Sequence, residues 1–207
     1  MDTSFIHRDS EGTPCRAYSC PAELRDKATR ELKETPETQQ ECVIELRQAL
    51  TIERSSLGEE ARMDDAFLIR FLRPKKYAVA KALNLYKNYH KLRSTHEMFE
   101  DLHPGTVRHV WESGCMGCLS ERDREGRNVL LAFPQYWNPQ EVSLRDALRS
   151  FILQLEYLIE SEETQINGVV LIVDFSRFTF EQMRSLRPTY VQLLVNLVQV
   201  SSTYQCI

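Results

Sequence analysis

Long hydrophobic runs are missing from this chain: stretches such as Val169-Val170-Leu171-Ile172-Val173 end after a few residues, whereas a helix that spans a bilayer needs roughly 20. No transmembrane segment is therefore expected. Met1 to Ser19 also lacks an apolar stretch of signal-peptide length, so the expectation is a cytoplasmic protein whose six cysteines are reduced thiols. Charge of one sign is not in excess either, with 26 Lys and Arg against 30 Asp and Glu and a net charge of -4. That balance argues against a nucleic-acid partner and makes any basic site local. With only 7 glycines, the chain holds no G-x-G-x-x-G, no G-K-S/T and no G-x-S-x-G, and Ser161 and Ser176 stand in no nucleophile context. Asp174 ends an expected strand, where α/β enzymes place catalytic groups, but no second carboxylate or nucleophile–base pair accompanies it. Neither an enzyme nor a cofactor is expected.

Residues 1–20 mix Ser, Thr, Gly, Pro and charge without periodicity, the composition of a disordered tail. Apolar residues then recur at helical spacing: Leu24, Ala28 and Leu32 between Pro21 and Glu34, and Cys42, Val43, Leu46, Ala49 and Leu50 between Pro36 and Arg54. Asp64 and Asp65 precede Ala66-Phe67-Leu68-Ile69-Arg70-Phe71-Leu72 as candidate caps, and Pro74 ends that short helix. A longer helix carries Val79, Leu83, Tyr86 and His90 on one stripe, widened by Leu85, Tyr89 and Leu92.

After Pro104 the pattern changes. A short helix to Trp111 precedes a hairpin formed by Cys115–Leu119, an Asp123-Arg124-Glu125-Gly126 turn and Asn128–Phe133. A helix over 143–160 then leads to a continuous apolar strand over 168–175, and a further helix is expected over 181–199. Strand, helix, strand implies a parallel crossover, so the fold class is α/β: an N-terminal all-helical lobe, then a mixed sheet with flanking helices.

Helix 143–160 is apolar around much of its circumference. One side can cover the sheet, while Leu148, Phe151, Leu155 and Leu158 face something else, either ordinary core or an apolar cavity. Arg149 on the same helix is expected at the surface. Between Ala66 and His96 stand eight cations and no Asp or Glu: Arg70, Arg73, Lys75, Lys76, Lys81, Lys87, Lys91 and Arg93. Such a run is either a solvated face or a site for anionic lipid head groups. Cys115-Met116-Gly117-Cys118 is a C-x-x-C, but residues three apart on a strand point to opposite faces, so only a turn at Gly114 or Gly117 would join both thiols in metal or redox chemistry.

The run Asp64 to Arg73 followed by Lys75-Lys76-Tyr77 resembles the amino-terminal signature of CRAL-TRIO proteins. Asp101-Leu102-His103-Pro104, Ser113-Gly114, the Arg122 to Arg127 hairpin, Trp137, Glu162 to Gly168 and Asp174 continue the likeness in order. They are similar to the branch containing α-tocopherol transfer protein and cellular retinaldehyde-binding protein. The resemblance implies a non-enzymatic carrier that encloses one lipophilic molecule, such as a retinoid, a tocopherol or a similar lipid, and exchanges it at membranes bearing phosphoinositides. It divides the chain into a tail (1–20), a helical lobe (21–96) and a lipid-binding lobe (97–207). It places Leu148, Phe151, Leu155, Val169, Leu171, Val173, Leu186, Leu194 and Leu197 at pocket-lining positions, and alternation along the strand supports 169, 171 and 173 independently. It also places Lys75 in a phosphoinositide patch, to which Arg73 and Lys76 are added as neighbours, and leaves metal ligands unassigned. After Gln199 the likeness stops, so a shortened lobe and an unpaired edge on strand 168–175 are expected.

Overall fold

The computed structural model of the protein describes residues 22–52, 62–186 and 188–190. The expected tail, Leu194, Leu197 and the end of the last helix lie outside the described residues. The first helix, α1 (Ala22–Lys27), widens into a π-turn over Ala28–Leu32 and stops at Lys33 in the left-handed conformation. Pro36 opens α2 (Pro36–Ile52), where a missing N–H is no loss. The Asp64 carboxylate accepts the Phe67 N–H at 3.1 Å and so caps α3 (Asp65–Leu72), as its position implied. Pro74 turns the chain into a 3-10 turn over Arg73–Lys75, and α4 spans Val79–Thr95.

Helices α2, α3 and α4 share one core, while Ala28 and Leu32 pack separately against Ile166. Leu46 and Leu50 of α2, Leu68 and Leu72 of α3, and Ala82 and Tyr86 of α4 are fully enclosed. Phe67 and Phe71 pack edge-on against Tyr86 and Tyr89. Each such side chain contributes roughly 1.5–3 kcal/mol by leaving water, which is enough to hold three short helices together.

The second half begins with α5 (Pro104–Glu112) and a mixed sheet of β1 (Met116–Cys118), β2 (Asn128–Ala132) and β3 (Val169–Val173) in the order β1-β2-β3. The β1–β2 pair is antiparallel, with Gly117 opposite Leu131. Its turn is held by the Asp123 carboxylate, which accepts the N–H groups of Glu125 and Arg127, while Gly126 takes a φ of 78°. The β2–β3 pair is parallel, with Leu130 opposite Leu171, and its crossover contains α6 (Leu144–Leu158) and α7 (Glu162–Asn167). The α/β class and the mixed sheet thus agree with expectation.

Three readings need correction. The helix expected over 181–199 is interrupted: α8 covers only Phe180–Ser185, Leu186 is extended, and a new helical turn starts at Pro188, whose ring and absent N–H cannot continue the earlier one. On α6, Phe151, Leu155 and Leu158 do not face away from the sheet; they are the residues that cover it, packing with Leu130, Val169 and Leu171. Arg149 is not at the surface. It is 4% exposed and donates to the carbonyls of Met98, Glu100 and Asp101 and to Thr106 Oγ1, at 2.7–3.2 Å. The guanidinium satisfies carbonyls within and just after a 3-10 turn over Glu97–Phe99, where the chain leaves regular structure.

Candidate functional site

The apolar candidates divide into three groups. Phe151 and Leu155, 5% and 6% exposed, meet Leu130 and Val169, with Leu171, Leu158 and Met116 around them. Leu148 belongs to a different cluster, with Met98 and Ile152, and partly buried Tyr190 beside it. Leu186 leans on a third, built from Val107, Val110, Trp137 and Val142. The structure therefore joins Phe151, Leu155, Val169 and Leu171 in one wall and sets Leu148 and Leu186 apart from it.

That wall is sealed at one end and open at the other. Along β3 the exposure rises from 2% at Val169 to 37% at Val173. Ile172, Phe175, Phe180 and Met183, beyond the sealed end, are exposed too. The α8 segment that bears Phe180 and Met183 is tied down by Gln182: its amide nitrogen donates to the carbonyls of Pro134 and Trp137, and its oxygen completes a capping box with Thr179. No short sequence motif marks Gln182 as this tether beyond the Thr179-x-x-Gln182 spacing.

The basic candidates also separate. Arg73 is buried, and its guanidinium donates to both Glu34 carboxylate oxygens at 2.8 Å, to Gln165 and to Glu162. Burial alone would lower its pKa, but the bonds and charge of Glu34 hold it above the ordinary arginine value. A guanidinium spent in this way is not presented to a head group, so Arg73 leaves the basic face. Lys76 is exposed in a left-handed turn and Lys75 is half-buried beside it. Partial burial, then the charge of Lys81, lowers the Lys75 pKa. Arg70 is equally enclosed: it donates to Glu156 at 3.1 Å and to Glu160 at 3.2 Å. Glu156 also takes Arg93 at 3.3 Å and the Tyr89 hydroxyl at 3.1 Å, and burial followed by the Glu156 charge pushes the Tyr89 pKa up to about 12. These carboxylate partners were missed from sequence because they are far away in the chain.

Cys115 lies in the cluster with Val107 and Val110, whereas Cys118 packs beside Leu130 and Phe151. Burial raises the pKa of both thiols, which disfavours the thiolate that metal binding or redox exchange requires. Among the described residues no helix is long and apolar enough to cross a membrane.

A helix-covered mixed sheet with an apolar wall between α6 and β2–β3 defines an α/β chain whose second half carries the candidate site. Residues 112–205, which contain that wall, match the CRAL/TRIO domain. The chain is 38% identical over 183 residues to Clavesin-1 of Xenopus laevis, a match that covers 86% of this chain and 54% of the relative. It is 36% identical over 183 residues to Clavesin-2 of Homo sapiens and of Rattus norvegicus, covering 86% of this chain and 55% of each relative. The chain thus spans about half the length of the curated relatives it matches.

Proposed function

We propose that the chain binds and transfers a hydrophobic small molecule, without catalysis, and associates peripherally with membranes that carry phosphoinositides. The observation that carries this reading is the wall in which Phe151 and Leu155 of α6 meet Val169 and Leu171 of β3 and which opens toward Val173. The CRAL/TRIO match over the same residues supports it. The lipophile is a retinoid, a tocopherol or a similar lipid, following the motif order that resembles the tocopherol and retinaldehyde carriers. Val173 lies at the open end of the proposed lining, and Leu148, Leu186, Leu194 and Leu197 are included in it on the family resemblance alone. Lys75 and Lys76 are the proposed head-group contacts, on a protein that resides in the cytoplasm.

Native mass spectrometry of the protein recovered from cells tests the pocket. Phe151→Asp puts a carboxylate into an apolar wall at a cost of several kcal/mol, on the order of 2–7 for an unpaired polar group, and removes the bound lipid. Tyr157→Asp, at an exposed position of the same helix, leaves lipid in place. Leu171→Asn serves as a milder second wall variant, with circular dichroism confirming that it is folded. Equal lipid recovery from all three sinks the pocket. Replacing Lys75 and Lys76 with Glu weakens binding to phosphoinositide vesicles, at up to about 1 kcal/mol per basic residue, and binding indifferent to this swap and to salt removes the membrane half of the proposal.

The close packing of Phe151 and Leu155 favours a second reading, an interaction module whose wall is filled by its own side chains and holds no ligand. Absence of any lipid from the recovered wild-type protein selects it.

A further inference from the structure

The stretch from Ala66 to His96 contains no acid of its own, yet its arginines meet carboxylates contributed by other elements. Glu156 of α6 and Glu160, just after that helix, hold Arg70 at 3.1 and 3.2 Å, and Glu156 also holds Arg93 at 3.3 Å. The two ends of this cluster differ in access. Arg70 is closed off with its side chain 6% exposed, whereas Arg93 is 39% exposed and Glu160 59% exposed. Lys76, Lys81 and Lys91 lie exposed along the same pair of elements.

We propose that Glu156, itself positioned by the buried Arg70 that it shares with Glu160, forms an intramolecular mask over the guanidinium of Arg93, a built-in brake on the attraction of this face for an anionic lipid surface. The inference rests on the reading of this face as membrane-facing. A carboxylate and a phosphate take the same guanidinium donors in the same geometry, so a lipid head group competes directly with the glutamates. The competition is open at Arg93, where solvent already reaches the pair, and closed at Arg70. The α3 and α4 helices owe their positions to their own core of Leu68, Leu72, Ala82 and Tyr86, so weakening the mask leaves them in place.

Glu156→Gln/Glu160→Gln removes the competing charge and keeps side-chain volume and an acceptor oxygen for Arg70 and Tyr89. Binding is measured on phosphatidylcholine vesicles with and without phosphatidylinositol bisphosphate. The double variant binds the anionic vesicles more tightly than wild type, by about five-fold for the one cation uncovered, Arg93, and with a steeper loss of binding as salt rises. Adding Arg93→Gln takes back part of the gain, which generic loosening of the fold would not do. Wild-type binding with no gain in the double variant overturns the mask and leaves the membrane-facing reading standing. No binding by either protein overturns both, and an equal gain on neutral vesicles overturns the mask by tracing the effect to exposed apolar surface.

Discussion

Arg149 offers the sharpest test of how the segment leading into α5 is held against α6. Its guanidinium donates to Met98 O at 3.1 Å, Glu100 O at 2.7 Å, Asp101 O at 2.8 Å and Thr106 Oγ1 at 3.2 Å. These bonds fasten the 3-10 turn and the approach to α5 onto the middle of α6. Arg149→Met retains much of the apolar stem but deprives three carbonyls of a charged donor. A hydrogen bond to a charged group contributes about 1.5–3 kcal/mol, and an unsatisfied buried acceptor loses about 1–3 kcal/mol. Water can reach the partly buried carbonyls of Glu100 and Asp101, so the full sum does not apply. A loss of about 3–5 kcal/mol is expected, a large share of a domain stability of about 5–15 kcal/mol. In a chain of this size 1 kcal/mol moves the melting midpoint by about 2–4 °C, so the shift is roughly 6–20 °C. Arg145→Ala supplies the comparison, since half-buried Arg145 makes a single bond, to Glu97 O, and its loss is worth about 0.5–1.5 kcal/mol. Urea unfolding followed by circular dichroism measures both. A loss below about 1 kcal/mol for Arg149→Met would show that water replaces the guanidinium at all three carbonyls, and would refute the clamp.

Gly126→Ala should destabilise more than Gly114→Ala. Both glycines have left-handed φ values, 78° and 73°, but a Cβ at Gly126 meets Asn167 Nδ2 at 2.5 Å while one at Gly114 meets nothing within 4 Å. The second change is expected to lose about 1–2 kcal/mol from backbone strain alone, and the first more, in the same urea assay. His90 packs among Phe67, Tyr86 and Tyr89, and burial, then the charge of Arg93, lowers its pKa from the ordinary 6.5. The unfolded chain therefore takes up a proton first as pH falls, so stability is complete above about pH 6.5 and declines toward the lowered folded value. His90→Phe should flatten the fall in melting midpoint as pH drops below about 6.5, and an unchanged slope would assign the acid loss to other groups.

Local patterns in the sequence were sufficient for the helices before Thr95, because each carries its own start, stop and apolar stripe. Asp64 capped α3 where a carboxylate before an apolar run should, and Pro74 ended it. The hairpin and the parallel crossover followed from the spacing of turn residues and apolar runs. The short α7 was missed, although Ser161 followed by two glutamates and closed by Gly168 carried a start and a stop signal. The interruption near Pro188 was also legible, since proline breaks a helix whatever surrounds it.

Other features depended on residues distant in the chain. Periodicity told that α6 is apolar on more than one side, but only the placement of the sheet decided that Phe151 and Leu155 cover it while Leu148 packs with Met98. Charge composition told that the stretch from Ala66 to His96 is basic. Whether a cation there reaches solvent depends on which carboxylates fold against it: Arg73 finds Glu34 and Glu162, Arg70 finds Glu156, and Lys76 stays exposed. The strength of an ion pair falls with distance in space and with the dielectric around it, and neither is a property of spacing along the chain. Arg149 makes the same point: by sequence an arginine expected at the surface of a largely apolar helix, it becomes a buried clamp because tertiary packing brings three carbonyls to it.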